Sequence, residues 1–367
     1  MDFSFTDEQQ MLRDSVSSFL QRSYDFDARS KIVRSAEGWS RAIWEQIAEI
    51  GLLALPVAED AGGLGGTAPD LVAVAEPFGA HLLAEPFIAT LLAAPLLASV
   101  EDERLEGIME GSKLAALAYE EGHGTADPSH IAMTAHRDGE RFMLDGEKRM
   151  VLAGGDADLL LVVARLEDRL EDRLALFSLS PDSDGITIKG YQTIDGRRAA
   201  NIRFSGVQVE KDDLLANDIE DALRKALDTA ILALCAESVG AMGELLSRTA
   251  EYASTRKQFG VPIATFQAVA HRLADMKIAY TKARATLLYT AALMEAGHAT
   301  ERDMAILKGQ TGKLGREVGE AAIQTHGGVG MTDELAVSHL HKRILANDAL
   351  LGSSEYHLRK VGNLSRS

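Results

Sequence analysis

Thr255-Arg256-Lys257-Gln258-Phe259-Gly260-Val261-Pro262-Ile263-Ala264-Thr265-Phe266-Gln267 decides how the C-terminal part of this chain is read. Upstream, residues 220–254 hold no proline and read as one continuous helix, roughly 50 Å long at about 1.5 Å per residue. Gly260 and Pro262 make a tight connection, and a new helix begins with Thr265 as its expected cap. Further helices are predicted over about 266–296, 300–325 and 333–361, and four long helices with short links make a bundle. Arg256 stands in the last turn of the first helix. It can stabilise that helix end, or it can present a planar fork to a phosphate. On generic grounds the capping role comes first.

A second stretch, Gln324-Thr325-His326-Gly327-Gly328-Val329-Gly330-Met331-Thr332, stops a helix with three glycines in four residues. Such a bend lets backbone come close to something flat or charged. It is not the dinucleotide fingerprint, because no strand precedes it and the spacing differs. Alone it is a C-cap with an open turn.

Outward from the bundle the periodicity changes twice. Residues 1–113 read as a helical domain. Phe5-Thr6-Asp7-Glu8-Gln9 opens its first helix, with Thr6 and Gln9 as a capping box and Met11, Val16, Phe19 and Leu20 as a rough apolar face. A second helix is expected over 40–50, ended by Gly51, then a short extended piece over 52–57 and a loop over 60–67. Helices resume at Pro69 and run with breaks to Ile108. Residues 114–215 carry short apolar runs without intervening helices, which predicts an antiparallel β-barrel or sandwich. Asp138-Gly139 and Asp145-Gly146 read as turns on either side of a strand, and residues 166–173 as a solvated hairpin tip. Residues 216–367 form the C-terminal bundle, so the fold class is α+β in three consecutive domains.

Composition narrows the function. Among 367 residues, 46% are hydrophobic and 25% charged, ordinary for a globular protein. The net charge of −17 repels a phosphate backbone on average, so no nucleic-acid partner is expected. Apolar runs such as 91–100 are too short to span a bilayer, and neither a signal peptide nor a lipidation box is visible, so a cytoplasmic protein without membrane insertion is expected. The single cysteine, Cys235, reads as a small buried residue. His339 and His341 face different sides of a helix, so no metal site is expected.

Taken together, Arg256 to Gln267, Leu273-Ala274-Asp275-Met276 and Gln324 to Thr332 closely resemble the two signatures of acyl-CoA dehydrogenases. The N-terminal Phe5-Thr6-Asp7-Glu8-Gln9 and the loop Gly62-Gly63-Leu64-Gly65-Gly66 match as well, so the resemblance covers essentially the whole chain. The start, Glu37-Gly38-Trp39-Ser40 and 256–267 look most like the small subunit of pimeloyl-CoA dehydrogenases. The resemblance implies FAD as cofactor, an acyl-CoA substrate taken to the 2-enoyl-CoA, a tetramer and an electron-transfer flavoprotein as redox partner. In such enzymes a carboxylate takes the α-proton as the β-hydride passes to the flavin, and donors polarise the thioester carbonyl. A neighbouring subunit closes over the FAD diphosphate and adenine. Arg256, Gln258 and Phe259 match positions that reach a neighbour's FAD, Phe266 and Gln267 match nearby contacts, and Gln324, Gly327 and Gly328 match the other FAD-facing segment.

The chain also departs from the pattern. The usual catalytic glutamate precedes a Gly-Thr pair in the last helix-to-helix turn, where this chain has Leu350-Leu351-Gly352-Ser353. Leu351 therefore stands at the base position, and Ser353 keeps the hydroxyl and is counted with the expected cofactor-binding residues. The alternative base position matches Ala230 or Ile231. Glu237 and Asp228 are the nearby carboxylates, either a relocated base or residues bonded to a neighbouring helix. The flavin-contacting Thr-Glu-Pro-Gly loop becomes Tyr119-Glu120-Glu121-Gly122-His123-Gly124, and Trp-Ile-Thr becomes Met150-Val151-Leu152. His123 reads as an exposed loop histidine or a phosphate contact. Three readings follow: a dehydrogenase subunit acting on a dicarboxylic, fatty or steroid side-chain thioester; a non-catalytic subunit completing a partner's FAD site in a homo- or hetero-oligomer; or a flavin oxidase or monooxygenase on the same fold.

Overall fold

The computed structural model describes residues 5–167 and 172–364, and the hairpin tip expected over 166–173 falls at its centre outside them. In chain order the helices before the sheet are α1 (Asp7–Ser23), α2 (Phe26–Val33), α3 (Arg41–Glu49), α4 (Ala68–Ala80), α5 (Phe87–Ser99) and α6 (Leu105–Met109). The strands β1 (Ala115–Ala118), β2 (Thr134–Asp138), β3 (Arg141–Leu152), β4 (Leu159–Glu167), β5 (Asp172–Leu179), β6 (Ile186–Gln192), β7 (Arg198–Val209) and β8 (Leu214–Ala216) follow. The chain ends with α7 (Glu220–Thr255), the short strands β9 (Lys257–Gln258) and β10 (Val261–Pro262), α8 (Gln267–Glu295), α9 (Glu301–His326), α10 (Ala336–Ala349) and α11 (Ser354–Leu364). They make two compact units, one of residues 1–30, 67–83 and 231–367, the other of 31–66 and 84–230. Each unit draws on stretches far apart in sequence.

The second unit is built on one eight-stranded sheet in the order β6-β7-β3-β2-β4-β5-β8, with β1 also paired to β4. The alternation along β7 works as expected: Ile202, Phe204, Val207 and Val209 are buried with Phe142, Leu144, Val162 and Phe177 in one apolar core. Two pairings, β1 with β4 and β2 with β4, are parallel, an addition to the antiparallel pattern expected. Asp138-Gly139 turns between β2 and β3 as expected, but Asp145-Gly146 does not turn. Gly146 sits at an irregularity inside β3, and the Asp145 carboxylate accepts from the Gly206 N–H across the sheet.

Four local expectations are corrected. Residues 52–57 are a series of turns, with Leu52 donating to Ile47 O and Ala54 to Gly51 O, and the glycine loop bonds back onto them. A helix over Phe26–Val33, begun by the Asp25 carboxylate accepting from Ala28 N–H, is too short for its period to stand out. Thr265 is not the cap of α8; Phe266 is, and the Thr265 hydroxyl donates to Pro262 O instead. The helix expected over 333–361 breaks at 350–353 into α10 and α11.

The first unit is the helical bundle. Thr6 and Gln9 form the expected capping box on α1, and Val16 and Leu20 are buried while Met11 is exposed. α4 and α7 cross in backbone contact: a Cβ on Gly79 would strike the backbone of Glu237, and one on Gly240 that of Glu76. Buried Glu76 is paired with Arg284 at 2.9 Å and Arg13 at 3.2 Å. Contrary to the reading of apolar runs, α7 is long and apolar enough to cross a membrane by composition. However, 72% of its most apolar window is buried inside the protein, the burial of a core helix.

Candidate functional site

The end of α7 carries the first part of the site. The helix stops at Thr255, yet Arg256 N–H still donates to Tyr252 O, and Arg256 O accepts from Ile263 N–H. Those bonds fix the Arg256 backbone. Its exposed guanidinium donates to no helix carbonyl and pairs with no carboxylate among the described residues. β9 and β10 form a minimal hairpin, Val261 opposite Gln258, turned through Phe259 at φ +52 and Gly260 at φ +85. Two successive positive φ angles suit such a hairpin turn, but glycine takes them more readily than phenylalanine does. Phe259 is 93% exposed at the tip and meets Phe266 edge-on at 6.3 Å. Gln258 and Gln267 are exposed beside it.

The glycine bend closes α9. Gly327 adopts φ +67, ψ −147, a region only glycine occupies comfortably. A Cβ on Gly327 or Gly328 would meet nothing within 4 Å, so that backbone is open to approach. Gln324 is exposed one turn earlier. One contact joins the two segments: the rings of Tyr252 and His326 stack at 4.4 Å and 22°. That stack sets the last turn of α7 against the last turn of α9, the helix ends that precede Arg256 and the Gly327–Gly328 bend. Between α8 and α9 runs a groove of about 310 Å³, lined by Ala268, His271, Arg272 and Ala321 among others.

The turn between α10 and α11 is closed. Lys308, fully buried on α9, donates from Nζ to Asn347 O, Asp348 O and Gly352 O at 2.8 to 2.9 Å. Burial holds its pKa below the usual lysine value. Leu351 is buried at φ +57, and its carbonyl lies 2.9 Å from His357 Nε2. Burial pushes His357 down to about 4, so the ring is neutral and donates from Nε2. Asp348 accepts from the Ser354 N–H and hydroxyl. The Ser353 oxygen accepts from Tyr356 N–H. Cys235, buried near Lys308, is pushed up to about 12 by burial, which makes it inert. No carboxylate stands at position 351.

Neither nearby carboxylate is free. Glu237 is 2% exposed and lies 3.3 Å from Arg343 Nη1 and 3.2 Å from Asn347 Nδ2, while Arg343 also donates to Leu83 O. An arginine contact and an amide contact occupy this carboxylate. Asp228 lies in the other unit, half-buried, with a partner of its own.

The two carboxylates of the loop over 119–124 are likewise satisfied from within. One Glu120 carboxylate oxygen accepts from the N–H groups of Glu121, Gly122 and Gly124 at 2.8 to 3.1 Å. Glu121 accepts from Lys148 Nζ at 2.6 Å and from Ala132 and Met133 N–H. Burial pulls Lys148 down to about 8 despite its partner. Burial also raises Glu121, but the Lys148 charge and the hydrogen bonds outweigh it and leave the carboxyl lowered. The partners move unevenly because Lys148 is wholly buried and Glu121 only partly. Met150 is exposed at φ +51. His123 is exposed, 5.6 Å from the His130 ring.

Sequence reasoning did not find Lys308, the Glu120 self-contact or the Tyr252–His326 stack. A lysine between Leu307 and Gly309 on an apolar helix was the one available signal, and it does not say what the ammonium grips.

Comparison with known proteins covers nearly the whole chain. The acyl-CoA dehydrogenase N-terminal domain matches residues 6–103, the middle domain 116–210 and the C-terminal domain 221–364. Acyl-CoA dehydrogenase IpdE2 of Mycobacterium tuberculosis is 30% identical over 360 residues, covering 97% of this chain and 96% of its own. A variant of the Tcur3481-Tcur3483 steroid ACAD is 27% identical with a TM-score of 0.87, covering 98% of both chains. The ChsE4-ChsE5 complex from Mycobacterium tuberculosis shares the fold at 24% identity and a TM-score of 0.90, covering 100% of both chains.

Proposed function

The chain belongs to the acyl-CoA dehydrogenase family, and from that premise we propose that it is the partner subunit of a two-chain, FAD-dependent dehydrogenase of CoA thioesters. In this reading its Arg256, Gln258, Phe259, Phe266, Gln267, Gln324, Gly327 and Gly328 complete the FAD site of a second subunit. That subunit supplies the carboxylate base. Bound there, FAD would supply the acceptor for the β-hydride that an acyl-CoA gives up in becoming the 2-enoyl-CoA. The electrons leave to an electron-transfer flavoprotein.

The residues fit one end of FAD and not the other. An unpaired guanidinium beside an open glycine backbone suits a diphosphate, through paired N–H donors and close backbone approach. No proton-abstracting step is assigned to this chain, because Leu351 cannot take a proton and Glu237 is held by Arg343 and Asn347. The observation that carries the reading is this pairing of an open phosphate-type surface with a base position filled by leucine. Heteromeric pairing is also in keeping with the Tcur3481-Tcur3483 steroid ACAD, and the small-subunit resemblance points the same way. A steroid side-chain or dicarboxylic thioester is the substrate class this favours.

The test is flavin content. Purified alone, the chain is expected to be colourless and without turnover. Co-expressed with a family member that keeps the Glu-Gly-Thr turn, it is expected to yield a yellow, active complex. Stoichiometric FAD with dehydrogenase turnover from this chain alone would refute the reading.

A further inference from the structure

We infer that Tyr252 and His326 are positioning residues: their stacked rings hold the Arg256 fork and the Gly327–Gly328 backbone in register for a single diphosphate, a role that rests on the partner-subunit reading above. The two phosphate-facing elements lie on different helices, about 70 residues apart in sequence, each just past the point where a helix ladder runs out. Helix ends open more easily than helix middles. Two donors that must meet one small anion need their relative placement held to about 0.5 Å.

The stack supplies that placement. His326 Nδ1 lies 2.9 Å from Ala322 O, and a carbonyl can only accept, so Nδ1 carries the proton and the ring is tied back along α9. His326 is 7% exposed, and its face lies nearly parallel to Tyr252 at 4.4 Å. Tyr252 O in turn receives the Arg256 N–H at 2.8 Å. On the other side, a Cβ on Gly330 would lie 2.8 Å from His326 Cβ, so the bend packs directly on the histidine. A continuous path therefore runs from the Arg256 backbone through Tyr252 and His326 to the glycine bend. Both rings act through their neighbours.

The experiment uses the complex of this chain with its FAD-binding partner. FAD dissociation is measured by flavin fluorescence, and assembly by light scattering. His326→Leu and Tyr252→Leu are expected to weaken FAD about three- to tenfold with assembly intact, the range a lost aromatic pair implies. His326→Phe, which keeps a stacking ring, is expected to stay within about twofold of wild type. His326→Leu combined with Arg256→Ala is expected to cost less than the two separate losses multiplied, because both disturb one unit. If Arg256→Ala weakens FAD and the two leucine variants do not, the inference fails while the partner-subunit reading stands. If His326→Phe is as weak as His326→Leu, ring stacking is not the operative contact, and the inference fails again. If Arg256→Ala also leaves FAD untouched, the reading itself fails. Tyr252→Leu, at a partly exposed position, keeps the test open should His326→Leu not fold.

Discussion

Two places in the helical unit match the signature segments of the family in sequence, and they are built in opposite ways. At the end of α7 and α9 the groups are open: Arg256 is unpaired, Phe259 is 93% exposed, and two glycines face space. At the α10–α11 turn everything is closed: Lys308 binds three carbonyls, His357 a fourth, and Leu351 fills the base position. An isolated chain gains nothing by leaving a charge and a phenyl ring in water. It gains a good deal by satisfying buried carbonyls. The difference teaches that the first surface leaves its groups available to a molecule outside this chain, as the proposed partner-subunit role requires, while the second spends its groups as an internal joint.

The largest effect expected is on the open side. Arg256→Ala in the assembled complex is expected to weaken FAD on the order of 100-fold, the loss usual for one partner of a desolvated, charge-assisted contact. Leu351→Ala in the same complex is expected to change turnover by less than about twofold, since no proton passes through that position. Flavin titration and steady-state kinetics check the pair. A reversal of the two results would break the comparison outright.

Next comes the closed side. Lys308→Met keeps volume but leaves three carbonyls without a donor. It is expected to cost about 4 kcal/mol of stability, read from denaturant midpoints, with FAD affinity in the surviving complex unchanged. The same turn sets a pH window. His357 sits at about 4 in the folded chain against an ordinary value of 6.5, because burial disfavours its charged form. Above pH 6.5 the ring is neutral folded or unfolded. As pH falls from 6.5 towards 4 the unfolded chain takes the proton first, so stability is lost across that window, by about 3 kcal/mol in all. His357→Phe is expected to flatten that part of the stability curve. An equally steep curve in the variant would remove His357 from the joint.

The open surface was legible in the sequence, and the closed one was not. Glycine, proline and arginine in 256–262 and 327–330 act through backbone angles and helix ends, which are local properties that a linear pattern records. The fold classes followed from periodicity for the same reason. Periodicity alone ran through the break at 350–353, which the family resemblance placed as a turn; what neither shows is its grip, because Lys308 stands about 40 residues earlier and captures carbonyls that a continuous helix would have used. Glu237 shows the same limit. Its composition could not separate a base from an ion pair, and only the placement of Arg343 and Asn347 on α10 occupies it. Asp145-Gly146 misled because a turn dipeptide also suits an irregular position within a strand.

The smallest effect is the sharpest test of the contrast, because its sign differs between the free and the assembled chain. Phe259 holds φ +52 at the hairpin tip, a conformation that costs a side-chain-bearing residue about 1–2 kcal/mol. Glycine removes that cost, but its freer unfolded chain gives back about 0.5–1 kcal/mol. Little burial is lost, since the ring is almost wholly exposed and meets Phe266 edge-on. Phe259→Gly is therefore expected to stabilise the isolated chain by about 0.5 kcal/mol, visible as a raised unfolding midpoint. In the complex the same variant is expected to weaken FAD or partner binding, because the ring it deletes is the one presented outward. Strain kept at an exposed aromatic tip makes physical sense only where another molecule covers it. Should the variant destabilise the free chain, or leave the complex indifferent, the tip is an ordinary turn, and the two regions differ less than their geometry suggests.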